Sequence, residues 1–166
     1  IKIPTLCYLK DFTGTGACRV CMVEVKGARS LVASCVYPVS EGMEIFTNSQ
    51  KALDARRNTV ELILSNHSKN CLSCARNTTC ELQELSYTVG ARDDVFAGAK
   101  TTPTFDDWST GIVRDTSKCV LCGRCVARCQ NAHGQGILGF ENRGFKTIVA
   151  PAFNRSFSES PCLLCG

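Results

Sequence analysis

Thirteen cysteines and one histidine fall into three consecutive ligand sets and the start of a fourth, and together they use every cysteine in the 166-residue chain. Cys7, Cys18, Cys21 and Cys35 form C-x10-C-x2-C-x13-C. His67, Cys71, Cys74 and Cys80 form H-x3-C-x2-C-x5-C. Cys119, Cys122, Cys125 and Cys129 form C-x2-C-x2-C-x3-C, and Cys162 and Cys165 begin that pattern again. A chain of this length would ordinarily form one or two domains. Bound metal changes that expectation, because a metal centre organises small folds that an apolar core alone could not stabilise.

Three cysteine-rich classes compete. An odd count argues against a closed disulfide framework. The sequence opens with no charged-then-apolar leader, so nothing places it in an oxidising compartment. Zinc is the more serious alternative, since C-x2-C pairs and a Cys3His set both suit it. Zinc sites usually combine two pairs, however, whereas Cys119, Cys122 and Cys125 follow one another at two-residue gaps. That is the bacterial ferredoxin run, in which three thiolates hold one cubane and the fourth, here Cys129, reaches a second. The cysteines therefore read as ligands of several iron–sulfur clusters in a row, and a row of redox centres carries electrons.

The formal charge of +4 counts cysteines as neutral. Ligating thiols are deprotonated, and four oxidised clusters with their ligands bring about −7. The loaded chain is then modestly negative, which argues against nucleic-acid binding. Arg124 and Arg128, interleaved with ligands, have two readings: counter-charges to anionic clusters, or a solvated basic face. No apolar run approaches the roughly 18 residues needed to span a bilayer. No carboxylate pair or Ser/His arrangement suggests acid–base or nucleophilic catalysis, so no catalytic residue is assigned.

The expected fold class is α+β, in three regions. In residues 1–48, Met22–Lys26 and Leu31–Ser34 alternate around Gly27-Ala28 as a hairpin, with a further strand over Met43–Thr47. The small residues of Gly14-Thr15-Gly16-Ala17 let backbone N–H groups approach a cluster beside Cys18 and Cys21. Residues 49–97 are expected to be helical. Thr47–Gln50 has the form of a capping box before a helix over about 49–65, with Leu53, Val60 and Leu64 as its core stripe. A second box, Thr78–Glu81, opens a helix that ends near Gly90. A lone histidine at a helix end is ordinarily explained by the helix dipole. His67 fills the missing fourth place of a three-cysteine set, which points to ligation. His133 has no such company and reads as a loop residue.

Residues 98–111 lack periodicity and read as a linker, with Phe105 and Trp108 as anchors on a neighbouring domain. In 112–166, a short helix places Cys125 and Cys129 on one face. Residues 137–140 and 145–149 form a hairpin before Pro151. The second cysteine run is cut short after Cys165, and Cys7 follows the start almost at once. The chain thus reads as part of a longer polypeptide.

At the level of motifs, the whole chain resembles the N-terminal relay region of iron-only (di-iron) hydrogenases from multi-subunit NAD(P)-linked or electron-bifurcating complexes. The motifs are Ile3–Tyr8, Gly16–Cys21, Ala33–Pro38, Ser65–His67 with its cysteines, and Cys122–Cys125. Asn142–Thr147, Pro151–Phe153 and Cys162–Gly166 complete the set. The architecture is also similar to the large iron–sulfur subunit of respiratory complex I and to the front end of NAD-linked formate dehydrogenases. The resemblance implies a 2Fe–2S cluster on Cys7, Cys18, Cys21 and Cys35, within a partial plant-type ferredoxin (β-grasp-like) domain. It implies a 4Fe–4S cluster on His67, Cys71, Cys74 and Cys80 in a small helical domain. It also implies a partial two-cluster ferredoxin-like domain, with one 4Fe–4S cluster on Cys119, Cys122 and Cys125 and another shared by Cys129, Cys162 and Cys165. Implied partners are the iron–sulfur and flavin subunits of a cytoplasmic redox complex, with NAD(P) or ferredoxin reached indirectly. The alternatives are the equivalent relay of a formate dehydrogenase or complex I-like subunit, or a stand-alone carrier.

Overall fold

The computed structural model describes residues 1–12 and 14–165. It is a small mixed α/β protein that divides into two compact units, Ile1–Ser65 with Lys69–Gly98, and Asn66–Ser68 with Ala99–Gly166.

In the first unit, β1 (Met22–Val25) turns back through Gly27 and pairs with β2 (Val32–Ala33), Met22 opposite Ala33. On its other edge β1 pairs with β3 (Ile45–Phe46), also antiparallel, giving the order β2-β1-β3. The alternation of β1 sends Val23 and Val25 inward while Met22 and Glu24 are half-buried. These valines join Leu6, Val20, Ala33, Val60, Leu82 and Leu85 in the core. Each such side chain contributes about 1.5–3 kcal/mol when fully buried.

Helix α1 (Gln50–Asn66) is capped one step later than the sequence suggests. The Ser49 hydroxyl, not that of Thr47, accepts the Ala52 N–H at 3.4 Å, which satisfies one of the free donors of the first turn. Its buried face is also rotated from the expected one. Ala52, Arg56 and Val60 lie inward at four-residue steps, joined by Glu61, while Leu53 is 37% exposed. A guanidinium can occupy that face because it finds a backbone acceptor there.

Helix α2 (Glu81–Val89) begins at Cys80, whose side chain makes no cap bond, and Gly90 closes it in the left-handed conformation. The Thr78–Glu81 box is therefore not used as a cap; the two glutamates of the first turn complement the helix dipole instead.

In the second unit, the segment expected as a linker contributes β4 (Phe105–Asp106), which pairs with β5 (Arg114–Asp115). Its alternation is one residue each way, too short to register as a sequence pattern. Phe105 and Trp108 are exposed, whereas Asp106 is buried. The expected short helix is a single turn, α3 (Arg124–Ala127), continued by a π-helical turn over Arg128–Ala132. The predicted hairpin is present as β6 (Gly139–Glu141) and β7 (Ile148–Ala150), Phe140 opposite Val149. Its connection includes a 3-10 turn over Gly144–Lys146. No helix among the described residues is long and apolar enough to cross a membrane.

Candidate metal centres

All thirteen cysteines are free thiols. The first set is drawn together in the first unit. Cys7 and Cys21 are buried and Cys18 and Cys35 half-buried. The Cys18 N–H points at Cys7 Sγ at 3.5 Å. Burial opposes ionisation of Cys7, yet the N–H groups of Cys18 and Ala17 and the Thr15 hydroxyl hold its pKa below the ordinary thiol value. Cys18 is raised by burial, against the pull of the Val20 N–H. Cys35 is pushed up to about 11, first by burial and then by the neighbouring Cys21 and Cys7, with the Gly16 N–H acting the other way. Four thiols raising one another's pKa is the signature of a site built for a cation. Metal replaces their protons and removes the conflict.

The loop over these thiols has no room to spare. A Cβ on Gly14 would lie 2.7 Å from the Cys35 carbonyl oxygen, and Gly16 takes φ +62 with Val36 pressed against it. Only glycine allows this approach at both places. Gly14→Ala is expected to destabilise the first unit by ~1–3 kcal/mol through overpacking and to make its cluster labile. Visible circular dichroism of the first cluster during thermal melting measures this. An unshifted melt would show that the loop yields freely.

In the second set, Cys71 opens a 3-10 turn, Cys74 closes it by donating its N–H to Cys71 O, and Cys80 stands at the start of α2. A helix N-terminus favours a thiolate there. These three belong to the first unit, and His67 falls in the second. The His67 ring lies between two carbonyls, Nδ1 2.7 Å from Ser68 O and Nε2 3.3 Å from Lys118 O. A neutral imidazole donates from one nitrogen only. With Nδ1–H on the shorter contact, Nε2 keeps the lone pair that a metal needs.

The third set is gathered in the second unit. Burial raises Cys119 and Cys125, and the charge of Cys122 adds to both. The Leu121 N–H points at Cys119 Sγ at 3.4 Å. Cys129 sits on the π-helical turn, where its carbonyl accepts from Gln135 and Gly136. At the end of the chain, Leu164 N–H points at Cys162 Sγ, also at 3.4 Å. Leu121 and Leu164 share the left-handed conformation, φ 54 and 51. Two C-x2-C loops far apart in sequence therefore fold alike, each aiming a backbone N–H at its first sulfur. Gly166, the last residue of the Cys162–Gly166 motif, lies outside the described residues. Among the described residues no three His, Cys, Asp or Glu side chains converge as a single-ion site.

Comparison with known proteins agrees with this chemistry. Residues 1–50 match the 2Fe-2S iron-sulfur cluster binding domain, and residues 56–94 match the NADH-ubiquinone oxidoreductase-G iron-sulfur binding region. The chain is an iron–sulfur protein. It is 43% identical, over its whole length, to the NADP-reducing hydrogenase subunit HndD of Solidesulfovibrio fructosivorans, covering 29% of that protein. It is 34% identical to the NAD-reducing hydrogenase HoxS subunit gamma of Cupriavidus necator, over 87% of this chain and 61% of that one. A solved NAD+-reducing [NiFe]-hydrogenase in the H2-reduced state superposes with a TM-score of 0.83 at 28% identity, over 91% of this chain and 63% of the other. This iron–sulfur chain thus spans under a third of the HndD subunit it matches along its whole length. It is homologous to electron-transfer subunits of NAD(P)-linked hydrogenases and of NADH-quinone oxidoreductases.

Sequence reasoning found every thiol but not the residues that hold them. Gly14's contact with Cys35, the sulfur-directed N–H groups of Leu121 and Leu164, and the buried Arg56 and Asp106 all lie outside the ligand patterns.

Proposed function

We propose that the chain is the electron relay of a cytoplasmic NAD(P)-linked hydrogenase complex. It would carry one 2Fe–2S cluster on Cys7, Cys18, Cys21 and Cys35, and three 4Fe–4S clusters. These are on His67, Cys71, Cys74 and Cys80; on Cys119, Cys122 and Cys125 with a further ligand; and on Cys129, Cys162 and Cys165. Sub-domains follow as 1–48, 49–97 and 112–166, with 98–111 as the connection. The observation that carries this reading is the shared geometry of the Cys119 and Cys162 loops, since two alike sulfur-directed turns suit two alike clusters. Thirteen free thiols suit a reducing compartment.

When bound, the clusters supply one-electron chemistry. The chain's own residues exclude water from the sulfurs, aim N–H dipoles at them and set their potentials. His67 is neutral where the other sets offer a thiolate, so its site holds one negative charge fewer and favours a higher potential. Partners would be iron–sulfur and flavin subunits that exchange electrons with NAD(P) or ferredoxin.

For the parent enzyme, the motifs over 142–147, 151–153 and 162–166 favour the iron-only type of hydrogenase. The structural match to a [NiFe] enzyme favours a second reading, in which the same relay serves a nickel-containing partner. Metal and acid-labile sulfide analysis of the anaerobically purified parent protein tests both. About 14 iron atoms per chain are expected from the four relay clusters, beyond those of any catalytic domain. Nickel in the purified complex would select the second reading, and stoichiometric zinc with little sulfide would overturn both.

A further inference from the structure

Arg56 lies in the middle of α1, 4% exposed, on the face that packs into the first unit. Its Nε and Nη2 both donate to the Met22 carbonyl, at 3.0 and 2.7 Å. Met22 directly follows the ligand Cys21. Among the described residues, no carboxylate lies within ion-pair distance of this guanidinium. Glu61, buried five positions along the same helix, accepts the Arg92 N–H instead.

A guanidinium does not deprotonate in a protein. Buried without an anion it carries a large desolvation cost, and one carbonyl dipole does not offset a full charge. The polypeptide thus contains an interior cation whose partner is not a side-chain carboxylate. The nearest strong anion the site can supply is the cluster of the first set. Arg56 already feels the charge of Cys21, which works against the effect of burial on the guanidinium.

We propose that Arg56 is the internal counter-cation of the cluster held by Cys7, Cys18, Cys21 and Cys35, and that it raises that cluster's reduction potential. The proposal rests on the 2Fe–2S assignment made above. An oxidised two-iron cluster with four thiolates carries about −2, and uptake of one electron brings it to about −3. A fixed positive charge nearby stabilises the more negative state more, so reduction becomes easier. The two bonds to Met22 O keep the charge from swinging toward solvent, where water would screen it. Arg56 is a positioning residue in this scheme: it sets the field at the cluster.

A purely structural tie between α1 and β1 would need only a donor to Met22 O, whereas a counter-cation needs the charge. Arg56→Gln keeps an amide donor and removes the charge; Arg56→Lys keeps the charge and loses the fork. Both are made in the full-length, cluster-loaded parent protein, and redox titration is followed by the electron paramagnetic resonance signal of the reduced 2Fe–2S cluster. R56Q is expected to lower that cluster's midpoint potential and leave the 4Fe–4S potentials in place, and R56K to stay near the wild-type value. R56Q with an assembled cluster at the wild-type potential overturns the proposal. If R56Q fails to assemble the cluster, R56K decides. A cluster at the wild-type potential in R56K supports the need for charge, while loss of the cluster there as well overturns it in favour of a structural clamp. A wild-type protein with no 2Fe–2S signal would instead overturn the cluster assignment itself.

Discussion

Asp106→Ala is expected to destabilise the second unit by ~3–5 kcal/mol, the usual cost of removing one member of a buried charged pair. Asp106 is 5% exposed and accepts from the Ser156 hydroxyl at 2.8 Å, the Phe157 N–H at 3.1 Å and the Trp108 N–H at 3.3 Å. Arg114 Nη2 stands 3.8 Å away, its side chain 11% exposed. Arg114 Nη1 also donates to Asn154 Oδ1 at 2.9 Å, while its buried Nε has no partner. Alanine would strand this guanidinium, already short of one bond, and leave the buried Phe157 N–H without an acceptor. For a unit of this size, a loss of that magnitude lowers the melting temperature by more than about 10 °C. The segment that Asp106 holds leads directly to Cys162, so cluster loss should begin at the Cys129, Cys162 and Cys165 site. Thermal melting followed by cluster absorbance measures it, and a shift of only a degree or two would show that the network is dispensable.

The same residue predicts an acid sensitivity. Burial alone would raise the Asp106 carboxyl, but Ser156, the Phe157 and Trp108 N–H groups and Arg114 together hold its pKa below the ordinary carboxylate value. A carboxyl depressed in the folded state stabilises the fold above its unfolded pKa, near ~4. That contribution disappears as pH falls from there through the lower folded value. Wild type should therefore lose stability over this window more steeply than Asp106→Ala.

The ligand sets were legible because cluster binding imposes local rules: the spacing of Cys119, Cys122, Cys125 and Cys129 is fixed by what one loop can wrap around. The β1–β2 hairpin was legible for a similar reason, since Val23 and Val25 alternate within four residues. Arg56 and Asp106 were not. Their burial depends on acceptors or donors 34 and about 50 positions away, at Met22, Ser156 and Phe157. An arginine on α1 reads as a surface charge until its acceptor is known, which is why the core stripe was placed on Leu53 rather than Ala52 and Arg56. The strand at Phe105–Asp106 was missed because two residues carry no period. The caps were misplaced by one or two positions because Thr47, Ser49, Thr78 and Thr79 offer competing hydroxyls, and tertiary packing chooses among them.

The central claim, that these sites pass electrons rather than merely brace the fold, is tested most directly at Cys122. It lies in the middle of the third set, where its charge acts on both Cys119 and Cys125. In the full-length parent enzyme, Cys122→Ser should slow electron exchange with the physiological carrier by more than about tenfold, or ~1.4 kcal/mol on the barrier. Reactions confined to the catalytic centre, such as hydrogen-isotope exchange with water for a hydrogenase, should largely survive. Circular dichroism must show that the variant is folded, because losing a cluster can unfold a metal-organised unit. A folded Cys122→Ser enzyme that lacks this cluster, yet reduces its carrier at the wild-type rate, would contradict the relay account.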